Sequence, residues 1–184
     1  MSTFNLIYSD FKKFKKYGAN AVVILFLTQA FWAIFQYRIA NAVYRKITLQ
    51  PFRFIFFIVI YIWQKITEIS TGISIPAAAT IGHSFYIAHF GGVIINAKTV
   101  IGNNCNLSQG VTIGVSGLYD KRGVPVLGDN VYVGANTVIA GKINIGNNVL
   151  IGASSLVTSS VENFGVVVGV PAILISSNGS KGYI

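Results

Sequence analysis

From residue 73 onward, aliphatic side chains return at every sixth position. They stand at Ile75, Ile81 and Ile87, then at Ile95, Ile101, Leu107 and Ile113, and again at Leu127, Val133, Ile139, Ile145, Ile151 and Val157. The next residue is mostly small or turn-forming, as at Gly82, Gly102, Gly114, Gly128, Gly134, Gly146 and Gly152. Four residues after an anchor comes a second small or β-branched position: Ala79, Thr99, Cys105, Val111, Val131, Thr137 and Val149. One inward side chain per short strand, followed by a glycine free to take φ > 0, describes a coil with three flat faces. Residues eighteen apart then stack, and such coils bury a continuous core only by stacking on one another. The pattern predicts a mainly β fold, with a β-helix over residues 71–175.

The register breaks twice. Ile87 to Ile95 is eight residues rather than six, so two must bulge from the coil, and that bulge carries His89 beside Gly91 and Gly92. Ile113 to Leu127 is fourteen residues where twelve would keep register. The sequence VSGLYDKRGVPV at 115–126 is rich in turn formers and charges, which predicts a loop extruded from a corner. Loops on rigid scaffolds are where chemistry tends to sit. After Val157 the repeat fades, and residues 176–184 read as a loose tail.

Residues 1–70 follow another pattern and predict a helical segment. Residues 1–16 are polar and end in FKKFKK, without the cleavage site of a signal peptide. Residues 19–44 suit a helix, and a second apolar run spans 52–63 behind Pro51. Each run is shorter than the roughly 20 residues that a spanning helix needs. Three readings stay open: a cap packed on the β-helix and on neighbouring subunits, an interfacial membrane anchor, or a transmembrane hairpin.

Composition sharpens this picture. The chain has 184 residues, 53% hydrophobic and only 10% charged, with a formal net charge of +9. Residues 1–70 hold nine Lys and Arg against Asp10 and Glu68, and residues 71–184 hold five against Asp120, Asp129 and Glu162. The basic excess thus belongs to the apolar N-terminal segment, which favours an anionic membrane surface over nucleic acid as a partner. The single cysteine, Cys105, excludes an internal disulfide and falls at an inward hexad position, where it reads as a small core residue.

Two histidines are the candidates for acid–base chemistry. His83 follows the turn glycine of a regular hexad and reads as a surface bystander. His89 lies on the register slip, and imidazole is the side chain best poised to take a proton near neutral pH. Two histidines and an inward cysteine do not supply a zinc site, so no metal is expected.

The stretches TIGHSFYIAHFGGVIINAKTVIGNNCNLSQGVTIG and PVLGDNVYVGANTVIAGKINIGNNVLIGASSLV, with GVPA beyond, resemble the serine O-acetyltransferase-like branch of the hexapeptide acyltransferases. The likeness covers roughly residues 35–175. It implies a left-handed parallel β-helix, a homotrimer, and acetyl-CoA lying between adjacent subunits. It implies His89 as the catalytic base and Ala135 and Ala153 as backbone contacts of the pantetheine arm. Two positions depart from the family pattern. The Asp expected directly before the catalytic histidine is Ala88, and the histidine expected before the loop proline is Val124.

The resemblance implies an acetyl-CoA-dependent O-acetyltransferase. The departures favour a hydroxyl of a surface-polysaccharide sugar, or of its precursor, as acceptor. Serine is the alternative acceptor, and an inactive scaffold is the alternative that is not an enzyme. In this scheme His89 takes the hydroxyl proton while N–H groups near Gly114 stabilise the oxyanion. Arg122 is a candidate for the CoA phosphates, and Lys121 and Tyr119 are candidates for the acceptor. The expected location is cytoplasmic, with a peripheral position on the membrane as an option.

Overall fold

The computed structural model describes residues 1–46 and 52–184. Pro51, the expected boundary of the second apolar run, lies outside the described residues.

Every third strand stacks on the one before. The first sheet contains β1 (Ile73–Ser74), β4 (Val93–Ile95), β7 (Thr112–Gly114), β10 (Val138–Ala140) and β13 (Leu156–Val157). The second contains β2 (Thr80–Ile81), β5 (Val100–Ile101), β8 (Val126–Leu127) and β11 (Asn144–Ile145). The third contains β3 (Tyr86–Ile87), β6 (Asn106–Leu107), β9 (Tyr132–Val133), β12 (Leu150–Ile151) and β14 (Val166–Gly169). All of these pair in parallel, and β15 (Ala172–Ser176) then adds antiparallel to β14. The anchors and the second inward set are buried, and together they form one continuous core. Cys105 belongs to that core, and burial pushes its thiol up to about 11.

The pairing resolves the register. Ile81 faces Ile101, twenty residues on, so two residues are inserted before β4, as the spacing predicted. The loop is larger than expected. Ile101 faces Leu127, so β8 is the strand directly after β7, and the coil absorbs eight extra residues rather than two. The repeat also continues past Val157. Val161 bridges Ile145, and Val167 pairs with Ile151, sixteen residues apart, so the last coil is tightened by two.

The turn glycines serve a different purpose from the one expected. Positive φ falls two residues later, at Ser84, Asn104, Asn130, Asn136, Asn148 and Ser154. The glycines are needed because coils touch there. A Cβ on Gly82 would lie 2.5 Å from Asn103 Oδ1, and one on Gly134 would lie 2.5 Å from the Ala153 nitrogen. The αL asparagines stack as a ladder, with Asn104 Nδ2 donating to Asn130 Oδ1 at 2.7 Å and Asn130 Nδ2 donating to Asn148 Oδ1 at 3.1 Å.

Among the described residues the N-terminal layer has four helices. Residues 3–16, read above only as a polar stretch, form α1 (Thr3–Lys16), whose first turn is capped by Ser2. The run at 19–44 divides into α2 (Ala21–Leu27) and α3 (Gln29–Lys46), bent by 74°. Thr28 makes the break. Its hydroxyl donates to the Val23 carbonyl at 3.0 Å, and its own carbonyl accepts from Phe31 and Trp32. The second apolar run continues into α4 (Phe52–Thr71). Its 18-residue window Phe54–Thr71 is long and apolar enough to cross a membrane, longer than the sequence run suggested.

A buried ion pair fastens this layer to the first coil. Arg38 Nε donates to Asp10 Oδ2 at 2.8 Å, and the guanidinium also donates to the carbonyls of Ile81 (2.7 Å) and Gly82 (2.6 Å). Asp10 Oδ1 accepts the Phe85 N–H at 2.8 Å. Half of the basic cluster takes part in the same docking. Lys13 is buried, with Nζ donating to Asn104 Oδ1 at 2.6 Å, and desolvation holds its ammonium down at about 8. Lys16 donates to the Ile184 carbonyl at 3.0 Å, and Phe14 is core. Of the FKKFKK lysines, Lys12 and Lys15 remain exposed and unattached to the coils. The tail at 176–184, expected to be loose, is also held. Ser180 bonds the carbonyls of Asn148 and Asn130, and Tyr183 packs on Tyr132.

Candidate active site

The corner between the third and first sheets carries His89. Where the next coil turns through Ser108, Gln109 and Gly110, this one turns through Ala88, His89, Phe90, Gly91 and Gly92. Ala88 N–H still bonds Leu107 O (2.9 Å), and Gly91 O still accepts from Gly110 N–H (3.0 Å), so His89 and Phe90 are thrown outward between two fixed points. Both are exposed, Phe90 to 57%. Gly91 and Gly92 take φ of +97° and +68°, which closes the bulge. The end of α4 braces it, since Thr71 O accepts the Gly91 N–H at 2.9 Å.

Ala135 and Ala153 lie on this same corner. Asn136 N–H donates to Gln109 O (2.9 Å), and Ser154 N–H donates to Ala135 O (2.7 Å). A row of main-chain bonds thus runs from α4 through the His89 bulge and past Ala135 to Ala153. Coils are spaced about 4.8 Å apart, so His89 and Ala153, three coils apart, stand roughly 14 Å apart along the axis. That is a track for an extended ligand. No hydrogen bond holds the His89 ring among the described residues, and the residue before it, Ala88, has no polar side chain to do so.

His83 is less of a bystander than its position suggested. It is half-buried, its Nδ1 lies 3.1 Å from Ser84 Oγ, and its N–H and C=O are both bonded to the next coil. Its ties are to the α1 dock, where Ser84 N–H donates to Ser9 Oγ at 3.0 Å.

The extruded loop leaves from the other end of the first sheet. Ser116 and Gly123 close it with reciprocal N–H···O bonds (3.1 and 3.0 Å) around a 3₁₀ turn at Tyr119–Lys121. Tyr119, Lys121 and Arg122 are all exposed, Tyr119 to 93%. Beneath the loop lies a cavity of about 360 Å³, lined by Ser116, Asp120, Lys121, Gly141 and Lys142 among others. Lys142, which the sequence reading missed, reaches the Asp120 carbonyl at 3.5 Å. Its only signal in the sequence was a cation in the turn one coil beyond the loop. Gly114 ends β7 at the loop corner. Within one chain the structure therefore brings His89, Ala135 and Ala153 together. It sets Gly114, Tyr119, Lys121 and Arg122 at a different corner. Among the described residues no three His, Cys, Asp or Glu side chains gather as a metal site.

The family description "Bacterial transferase hexapeptide (six repeats)" matches residues 125–159. The solved structure of Neisseria gonorrhoeae serine acetyltransferase in complex with serine superposes with a TM-score of 0.80 at 31% identity, covering 95% of this chain and 69% of that one. The chain belongs to the serine acetyltransferase-like branch of the hexapeptide-repeat acyltransferases. The β-helix of this family is left-handed, as the resemblance implied. A serine acetyltransferase solved in complex with CoA is similar at a TM-score of 0.80 and 26% identity, over 95% of this chain and 70% of that one. Serine acetyltransferase from Bacillus subtilis (strain 168) is 34% identical over 149 residues, 81% of this chain and 65% of that protein. The chain thus spans 55–65% of the length of the curated relatives it matches.

Proposed function

We propose that the chain is an acetyl-CoA-dependent O-acetyltransferase acting as a homotrimer. One observation carries the reading: His89, Ala135 and Ala153 share one hydrogen-bonded corner, as a base and a cofactor track must. His89 takes the proton of an acceptor hydroxyl as its oxygen attacks the thioester carbonyl. The tetrahedral intermediate collapses, the acetyl–sulfur bond breaks, and the proton passes to the departing thiolate. The loop corner and the base corner are separate within one chain, so a ligand touching both needs two subunits. A neighbour would then present Gly114 to the oxyanion and Lys121, Arg122 and Tyr119 to the cofactor phosphates and the acceptor. The cofactor places the reaction on the cytoplasmic side.

The relatives favour serine as acceptor over the glycan hydroxyl expected first from the sequence, since they are named serine acetyltransferases and one was solved with serine. A sugar hydroxyl keeps two specific supports. The exposed ring of Phe90, beside the base, offers a flat apolar face to a pyranose, and Ala88 gives an amino acid's ammonium no carboxylate.

Thiol release from acetyl-CoA, with serine and then with a glycan acceptor, tests the reading. His89→Ala is expected to lower turnover by about 10²–10⁴ with acetyl-CoA affinity retained. His83→Ala is expected to act on stability instead. Equal loss of turnover in both variants, or no thiol release with either acceptor, would remove the proposal.

A further inference from the structure

Helix α4 is built inside out. Its outward face presents Phe54, Ile55, Ile58, Val59, Ile62 and Ile66, each 45–66% exposed. Of its polar residues, Lys65 and Ser70 are exposed, Gln64 and Glu68 are half-buried, and the two threonines face inward. Thr67 and Thr71 are buried and bonded to carbonyls of the helix itself, and Gln64 donates to Glu68. A helix on a water-soluble surface has the reverse arrangement. No charged residue occurs from Phe54 to Gln64. The apolar surface continues sideways. A groove lined by Leu25, Trp32, Phe35, Trp63 and Ile66 joins α4 to the bent α2–α3 pair, where Val22, Phe26 and Leu27 are also more than 60% exposed. An exposed apolar surface of this extent marks a docking site.

Charge decides what docks. Both carboxylates of the helical layer are engaged, Asp10 by Arg38 and Glu68 by Lys65, Gln64 and Ser74. The exposed charges of the layer include Lys46, two residues after Tyr44 of the groove against α4, and Lys12 and Lys15 of α1, whereas Arg45 is bonded to Thr80 and Lys65 to Glu68. A two-fold contact between copies would set identical patches face to face. Each would bring its own cations and no spare carboxylate to meet them. An anionic bilayer supplies both an apolar interior and the missing negative charge.

We infer that this face of α4, together with α2, lies in the interface of an anionic lipid membrane. The attachment is peripheral. The inner side of α4 packs on α3, with the Phe35 and Trp63 rings 6.3 Å apart, so lipid reaches one side only. Because Thr71 holds the His89 bulge, the same attachment sets the candidate base close above the lipid surface. The inference does not depend on which acceptor is used.

Flotation of the full-length chain with phosphatidylcholine vesicles, with and without one quarter phosphatidylglycerol, tests it. The chain is expected to float with the anionic vesicles and to stay largely bound in high salt, because the apolar part is insensitive to screening. Ile58→Glu with Ile62→Glu, at exposed positions, is expected to cut binding at least tenfold while leaving the melting temperature unchanged. Lys46→Glu is expected to weaken binding to anionic vesicles about fivefold at low salt. Failure to float at low salt would overturn the inference, as would unchanged binding of the Glu variants. A doubled sedimenting mass without lipid, lost in the Ile58→Glu/Ile62→Glu variant, would assign the face to a second copy instead.

Discussion

Gly72→Ala is expected to impair the chemistry more than the fold. Gly72 follows the last residue of α4 at φ +66°, a conformation that costs an L-residue roughly 1–2 kcal/mol. For a chain of this size each kcal/mol lowers the melting temperature by about 2–4 °C, so strain alone predicts a loss of roughly 2–8 °C. The new Cβ would also lie 3.0 Å from Gly91 Cα and 3.2 Å from Gly92 N, main-chain atoms of the bulge that carries His89. Relief requires that bulge to move by a few tenths of an ångström. A displacement of about 1 Å can cost 10²-fold in rate, so a three- to tenfold loss of kcat/KM is the expected scale. Gly18→Ala is the matched control. Its φ is +90°, but no atom lies within 4 Å of the added Cβ, so it should lose comparable stability and keep its turnover. Melting curves and thiol release on the two variants make the comparison. Equal turnover in both would refute the idea that α4 sets the position of His89.

Asp10→Ala should be among the most damaging single changes outside the coils. It strands a guanidinium that is only 2% exposed, and breaking a buried pair costs about 3–5 kcal/mol, a loss of melting temperature on the order of 10 °C. Replacing Asp10 and Arg38 together by apolar residues should cost less than the single change, which a double-mutant cycle would show. Lys13 should leave a signature in alkali. Its ammonium falls from an ordinary 10.5 to about 8 in the folded chain, so the unfolded chain binds more protons between those values. Its contribution to stability should therefore rise from about pH 8 to 10.5, and Lys13→Met should flatten that part of the stability–pH curve.

The coils were legible because every inward position obeys one constraint. Ile101 or Val133 has a single direction to face, and the period of six states it. Corners are harder to read. Gly82 and Gly134 look like residues chosen for φ, but the atoms that exclude a side chain there belong to the next coil, twenty and eighteen residues away. Spacing alone divides the interval from Ile113 to Leu127 as readily into two hexads plus two residues as into one plus eight, and only the pairing of Ile101 with Leu127 decides. Helix α1 hid for a similar reason. Its lysines and Asp10 look solvated in sequence, yet their partners, Asn104 and Arg38, are distant in the chain. His89 could be picked out because a register slip is a local event. Gly114 and the loop residues could not be joined to it, because within one chain they lie at a different corner, and the proposed union calls on a second copy.

The tie between α1 and residues 180–184 has a consequence for how the chain is made. Tyr17 donates to the Tyr183 carbonyl at 3.3 Å across 166 residues, and Asn106 bonds both the Tyr17 hydroxyl and the Tyr183 carbonyl. At roughly 5–20 residues per second, a ribosome takes on the order of ten seconds or more to supply that partner. Helix α1 leaves the ribosome well before residues 180–184 and is sealed only once they arrive. In the interval its aromatic face, with Phe14 and Tyr17, stands open to chaperones. The finished protein buries Phe14 and leaves the Tyr17 ring partly exposed, with its hydroxyl bonded to the tail.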